Sequence, residues 1–271
     1  MHQRHIQHRG GFPWGWTPIT GAGTGRSDTG MDFGVLRLRA GEEHPGDDTL
    51  EEAFLLMDGA AIFRFDGRQV GAERRSLFDE DPHALHHGPG ATISVRAETD
   101  VELVICRTTC PRVFPTVLYD PDSILESEHR DKGRLDDTSH RIVRTIFDGR
   151  NRPEANLVLG EVITFPGRWS SYPPHHHPQP EIYHYRFTDP RGYGHAELGE
   201  DVLKVRPFDT LEILDLHDHS QVAAPGYGMF YVWAIRHLPG QPYTAPEFTA
   251  AHTWLQAEAP AVWHPAPEED A

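Results

Sequence analysis

The sequence predicts an all-β protein built as two similar barrels or sandwiches in tandem, and three observations predict it. Short runs rich in Val, Ile, Leu, Phe and Tyr recur along the 271 residues, bounded by Gly, Pro and Asp. Convincing helical periodicity is scarce. One pattern, a glycine, a loop with histidine, a glutamate and a strand, occurs twice.

The runs come in order as FGVLRLRA (Phe33 to Ala40), AFLLMDGAAIFRF (Ala53 to Phe65), ATISVRA (Ala91 to Ala97), VELVICRTT (Val101 to Thr109), LVLGEVITF (Leu157 to Phe165) and MFYVWAI (Met229 to Ile235). Their β-branched and aromatic side chains suit a pleated, half-buried surface. Helix is expected only near Pro121 to Lys132 and around Ala245 to Gln256. The repeat opens at Gly41 with GEEHPGDDTLEEAFLLMDG, where His44 precedes Glu52. It returns at Gly167 with GRWSSYPPHHHPQPEIYHYRF, where histidines precede Glu181. The first copy has one histidine where the second has three, so metal ligands are expected only in the second barrel. The expected domains are 1–135, metal-free, and 136–271, metal-binding with a short tail. DKGRLDDTSHR (Asp131 to Arg141) is the expected crossover, and APEEDA (Ala266 to Ala271) is expected to be disordered.

Composition narrows the function. Hydrophobic residues at 38% and charged residues at 24% describe a folded chain, long enough for two domains with real cores. Lys and Arg total 25 against 41 Asp and Glu, a formal charge of -16. That surface argues against gripping phosphates of a nucleic acid or an anionic lipid face. Cys106 and Cys110 are too few for a disulfide framework and lack the second pair of a structural zinc site. MHQRHIQHRGGFPWGW has no apolar h-region, and no run of about eighteen apolar residues could span a membrane. A cytoplasmic protein is expected.

The chemistry concentrates in WSSYPPHHHPQPEIYHYRF (Trp169 to Phe187). Alternation along a strand lets His175 and His177 point together while His176 points away. It puts Glu181, Tyr183, Tyr185 and Phe187 on one face and Ile182, His184 and Arg186 on the other. Two imidazoles at i and i+2 with a carboxylate on the next strand make a three-ligand set for a divalent cation. His217 and His219, again at i and i+2, are both candidates for a fourth ligand. His83, His86 and His87 have no carboxylate following at comparable spacing, and His2, His5 and His8 lie in a terminal segment expected to be flexible.

H-x-H-x-x-x-E with an upstream glycine and a histidine some forty residues later resembles the cupin metal motif. The wider wording, GEVITFPGRWSSYPPHHH, EIYHYRF and VAAPGYGMFYVWAI, is similar to the 5-deoxy-glucuronate isomerase family of inositol catabolism, a two-cupin fold related to 5-keto-4-deoxyuronate isomerase. The likeness covers most of the chain, including GAERRSLFDEDP (Gly71 to Pro82). It implies a bicupin of jelly-roll barrels with metal ligands His175, His177, Glu181 and His219, His217 being the alternative after a two-residue slip. It implies an intramolecular aldose–ketose isomerase that converts 5-deoxy-glucuronate to 2-deoxy-5-keto-gluconate. Zinc is the first choice of metal and manganese the second, with iron and nickel also suited to the mixed donor set. For that reaction Glu161 is the candidate base, Arg168 the candidate partner of the substrate carboxylate, and Tyr183, Tyr185, Tyr227 and Tyr231 candidate pocket residues. The partner is a small sugar acid, and a homo-oligomer is left open. The sequence departs from the family at His176 and Pro178, where H-K-H-D is usual, in a short loop before Glu181, and at His184 between the tyrosines. Those departures keep two alternatives: an isomerase or epimerase of another sugar acid, and an oxygenase or non-catalytic sugar-binding cupin.

Overall fold

The computed structural model describes residues 4–23, 28–214 and 216–266. His2 and all but the first residue of the acidic tail lie outside them. The apolar runs form the strands Asp32–Leu38, Glu51–Phe65, Ile93–Ala97, Val101–Thr108, Leu157–Thr164 and Met229–Arg236. The two helices expected from sequence do not form as such. After Asp120 the chain makes a tight turn, with Ser123 Oγ donating to Asp120 Oδ1 at 2.6 Å, then a three-residue strand, Glu128–Arg130. Short polar side chains there offer the backbone local partners that compete with a helix. The second segment is a 3₁₀ turn, Ala250–Gln256.

Every strand pairing among the described residues is antiparallel, and the strand orders are crossed over as in a jelly roll rather than a meander. The first half is one nine-stranded sheet, and the second half combines a seven-stranded and a five-stranded sheet. Sheet membership moves the expected boundary. His5–Gln7 pairs with Asp209–Ile213, so the chain begins in the second barrel before building the first. The change of sheet falls between Val117–Tyr119, paired with Ala84–His87, and Glu128–Arg130, paired with Arg141–Phe147. It therefore precedes residue 131, and Asp131 to Arg141 already belongs to the second unit.

The buried apolar residues sort into three layers. Phe54, Phe63, Val95 and Leu103 fill the first barrel. Tyr183, Tyr185, Leu211 and Tyr231 fill the second. Between them Val35, Leu55 and Val104 from one half meet Leu159, Ile182 and Val232 from the other. Strands such as Leu157–Thr164 are thus buried on both faces, which explains their continuous apolar reading.

Candidate metal centre

The strand Trp169–His176 pairs with His219–Ala223 and carries a register shift between Ser170 and His175. Ser171 sits there with a φ of 51°, in the left-handed region, and turns its hydroxyl to Tyr183 and Tyr231 at 3.0 and 3.1 Å. Beyond the shift, His175 lies directly opposite His219. The strand Glu181–Phe187 then brings Glu181 beneath them.

Three donor atoms converge. A nitrogen each of His177 and His219 and a carboxylate oxygen of Glu181 lie within 4.8 Å of one another, and all three residues are buried. Both histidine Nε2 atoms face the same oxygen, Glu181 Oε2, His177 at 3.2 Å and His219 at 3.3 Å. His175 stands beside them, its ring 4.5 Å from that of His219. The other nitrogen of each ring is already committed. Nδ1 of His175 donates to the Pro173 carbonyl (3.1 Å), that of His177 to Gln179 (2.9 Å) and that of His219 to His217 (3.1 Å). A carbonyl can only accept, so Nδ1 carries the proton and Nε2 keeps its lone pair, as in a metal-ligating imidazole.

The electrostatics ask for a cation. Burial opposes ionisation of Glu181, and a proton on the facing Nε2 of His177 or His219, standing where a cation would, outweighs burial and holds the carboxyl at about 2. Burial, and then the nearness of His219, keeps His175 well below the ordinary histidine range. Nε2 of His219 is buried and makes no hydrogen bond. An ionised carboxylate facing lone-pair nitrogens is stabilised by a divalent ion, and this N/O set fits one.

The centre opens into a cavity of about 1110 Å³ lined by His175, His177, Glu181, Tyr183, Tyr231 and Trp233, among others. Burial raises Tyr183 well above the usual phenol range, with Glu181 adding to it, and burial likewise raises Tyr231, so both hydroxyls stay protonated.

The other expected residues sort differently. His176 points away, its Nδ1 2.6 Å from Asp218, and His217 donates its own Nδ1–H to the Leu214 carbonyl outside the cluster. Glu161 does not reach the cavity. Its neighbour Val162 faces the cavity, and Glu161 faces the seam between barrels, bonded to Arg74 (2.6 Å) and Arg144 (2.9 Å). Alternation could not reveal this, because both faces of its strand are buried. Arg168 lies off the cavity and bonds the Asp136 carbonyl, whereas Arg112, Arg130, Arg141, Arg150 and Arg236 line it. Tyr185 gives its hydroxyl to Gln221 (2.7 Å), and Tyr227 packs on Tyr193, so neither lines the cavity. Sequence reasoning missed the segment after the last long strand, where Tyr243 lies 4.9 Å from the His177 ring and Phe248 5.7 Å from His175.

The first barrel repeats the arrangement with both cross-strand neighbours of the carboxylate changed. Glu52 pairs across strands with His87 on one side and Arg107 on the other, where Glu181 has Ile213 and Ile235. His87 Nε2 lies 3.1 Å from Glu52, and Arg107 forms a close ion pair with it. A guanidinium supplies the positive charge there. His86 likewise meets Glu51 at 3.1 Å, so these histidines do have carboxylates, placed upstream in sequence.

A sequence model of the KduI/IolB family matches residues 17–255. The chain belongs to the KduI/IolB family. It is 27% identical over 179 residues to a protein named 5-deoxy-glucuronate isomerase from Geobacillus kaustophilus, covering 60% of this chain and 62% of that one. The chain thus spans under two thirds of that relative's length. A protein of the same name from Bacillus subtilis is 27% identical over 199 residues, covering 71% of each chain. The crystal structure of an IolB-like protein from Salmonella typhimurium superposes with a TM-score of 0.75 at 22% identity, over 84% of this chain and 90% of that one. A cupin 2 conserved barrel protein from Leptotrichia buccalis superposes with a TM-score of 0.51 at 10% identity, over 82% and 88%. The fold is a bicupin. No helix among the described residues is long and apolar enough to cross a membrane.

Proposed function

We propose that this protein is a metal-dependent sugar-acid isomerase that converts 5-deoxy-glucuronate to 2-deoxy-5-keto-gluconate in inositol catabolism, with its metal on His175, His177, Glu181 and His219. The observation that carries the reading is the shared direction of the imidazoles. Each of the three histidines spends Nδ1–H on a backbone carbonyl, and two aim Nε2 at one ionised carboxylate oxygen. The names of the relatives supply the substrate.

A bound divalent ion supplies Lewis-acid polarisation of a carbonyl and its neighbouring hydroxyl. The mixed N/O donor set suits zinc first and manganese second, and affinity order alone does not select the metal. The chain's own groups do the rest. Tyr183 and Tyr231 share Ser171 and stay protonated; Tyr231 spends its proton on Ser170 Oγ (3.2 Å), which leaves Tyr183 to donate to a sugar hydroxyl. Val143, Val162 and Trp233 make a wall that keeps water from the reacting carbons. The test is metal analysis of the purified protein with an NMR time course on 5-deoxy-glucuronate. Bound metal without conversion overturns the isomerase reading. Conversion of a different sugar acid would favour the second reading, which the His176 and Pro178 departures support.

A further inference from the structure

The cavity is lined by Arg112, Arg130, Arg141, Arg150 and Arg236 in a chain of net charge -16. Three of them are spent on acids: Arg130 on Glu128 (2.8 Å), Arg150 on Asp148 (2.9 Å), and Arg141 on Asp131. Two are not. Among the described residues Arg112 bonds only uncharged acceptors, Nε donating to the Glu154 carbonyl (2.5 Å) and Nη2 to the Ala155 carbonyl (3.0 Å) and Asn156 Oδ1 (2.7 Å), which leaves Nη1 open. Arg236 gives Nε–H to Thr108 Oγ1 at 2.7 Å, and its terminal nitrogens have no hydrogen bond among the described residues.

These two arginines belong to one constellation. Asn156 takes Arg112 on its side-chain oxygen, donates Nδ2–H to the Thr109 carbonyl (2.9 Å) and accepts the His237 amide (2.7 Å) on its own carbonyl. Arg236 precedes His237, and its amide bonds the Pro180 carbonyl at 3.2 Å, one residue before Glu181. The group therefore stands at the start of the strand that carries the carboxylate of the metal centre. Thr109 and Arg112 leave the first barrel, whereas Asn156, Arg236 and His237 belong to the second.

We infer that Arg112 and Arg236 form an anion-binding pole of the cavity that takes the carboxylate of the sugar acid, the first barrel supplying half of it. This assignment rests on the sugar-acid reading and takes the role expected of Arg168. Arg236 keeps a free edge of two terminal nitrogens that matches a carboxylate in shape and charge, and Arg112 adds its open Nη1 and its unpaired charge. It also gives the metal-free barrel a part in recognition.

The test measures binding, not turnover. Titrate metal-loaded wild type, Arg112→Gln and Arg236→Gln with D-glucuronate and with D-glucose by calorimetry or ligand-observed NMR. Wild type should prefer glucuronate by about tenfold or more, the scale of charge-assisted hydrogen bonds. Each variant should lose most of that preference while its affinity for glucose is unchanged. Wild type indifferent to the carboxylate, variants that still prefer glucuronate, or equal loss of both sugars overturns the inference. Arg112 is exposed, so R112Q keeps the test decisive even if R236Q disturbs the seam. A protein that passes but does not isomerise 5-deoxy-glucuronate overturns the isomerase reading alone.

Discussion

Glu161→Gln separates a structural carboxylate from a catalytic one. Glu161 and Arg74 are fully buried, Arg144 is nearly so, and the carboxylate joins both guanidinium groups at 2.6 to 3.0 Å. Arg74 comes from the first barrel, so the pair also ties the halves together. The amide keeps the shape and removes the charge, which leaves two buried cations with one compensating carboxylate, Asp81 at 2.9 Å from Arg144, itself exposed. Breaking a buried pair by removing one partner costs about 3–5 kcal/mol. An unfolding entropy of about 2.1 cal/mol/K per residue over 271 residues turns that into a drop of about 5–9 °C in Tm. The assay is thermal unfolding followed by circular dichroism, with activity measured on the folded variant at lower temperature. Little loss of activity below Tm is expected. An unchanged Tm with activity down by about a hundredfold, the scale of a lost general base, would return Glu161 to catalysis.

Other predictions bear on the centre and the fold. His175→Ala with His177→Ala should bring bound metal down to background while the strand signal in circular dichroism persists; metal retained in the double variant would refute the ligand assignment. Burial holds His86 below the ordinary histidine range and His184 well below it. Their stabilising contribution is therefore complete above about pH 6.5 and is lost as pH falls below it, because the unfolded chain takes up protons the folded one refuses. Tm should fall between about pH 7.5 and 5.5, and a flat or rising profile over that pH range would contradict this. Gly160→Ala would set a Cβ 2.5 Å from the Trp233 ring, so a loss of about 1–3 kcal/mol in urea unfolding is expected.

What could be read from sequence follows how each strand is buried. Glu181–Phe187 was legible because its two faces differ in kind. Glu181 and Tyr183 line the cavity, while Ile182 meets the other barrel and His184 and Arg186 bond Thr210 and Glu102. Leu157–Thr164 was not, because both of its faces are buried and a buried ion pair looks like a candidate base. The choice of His219 over His217 is visible only in space, since His217 contributes its backbone carbonyl. Arg112 and Arg236 carry no local motif. They are assembled by contacts to Asn156 and Thr108 across the two halves, which spacing does not encode.

The paired barrels also explain why one centre fits a metal and the other does not. Glu52 and Glu181 hold equivalent positions, each entering a long strand behind a histidine-bearing loop. His87 gives Nδ1–H to the Gly88 carbonyl (3.0 Å) and turns Nε2 to Glu52, repeating the ligand geometry of the second barrel. His44 Nε2 is buried nearby without a hydrogen bond. Beside the carboxylate, His87 stands in place of Ile213 and Arg107 in place of Ile235, and Arg107 brings the fixed charge. A cation fixed in the chain removes the need for one from solution. Arg107→Met keeps the stem and deletes that charge, leaving Glu52 buried and uncompensated. Since Arg107 keeps 15% of its side chain exposed, the loss should fall at the low end for a broken buried pair, about 3 kcal/mol. Zinc should then raise the Tm of this variant beyond its effect on wild type, through His44, His87 and Glu52, because ligands that bind only the folded state stabilise it. An R107M protein as stable as wild type, or one that zinc leaves unchanged, would show that Arg107 does not stand in for a metal.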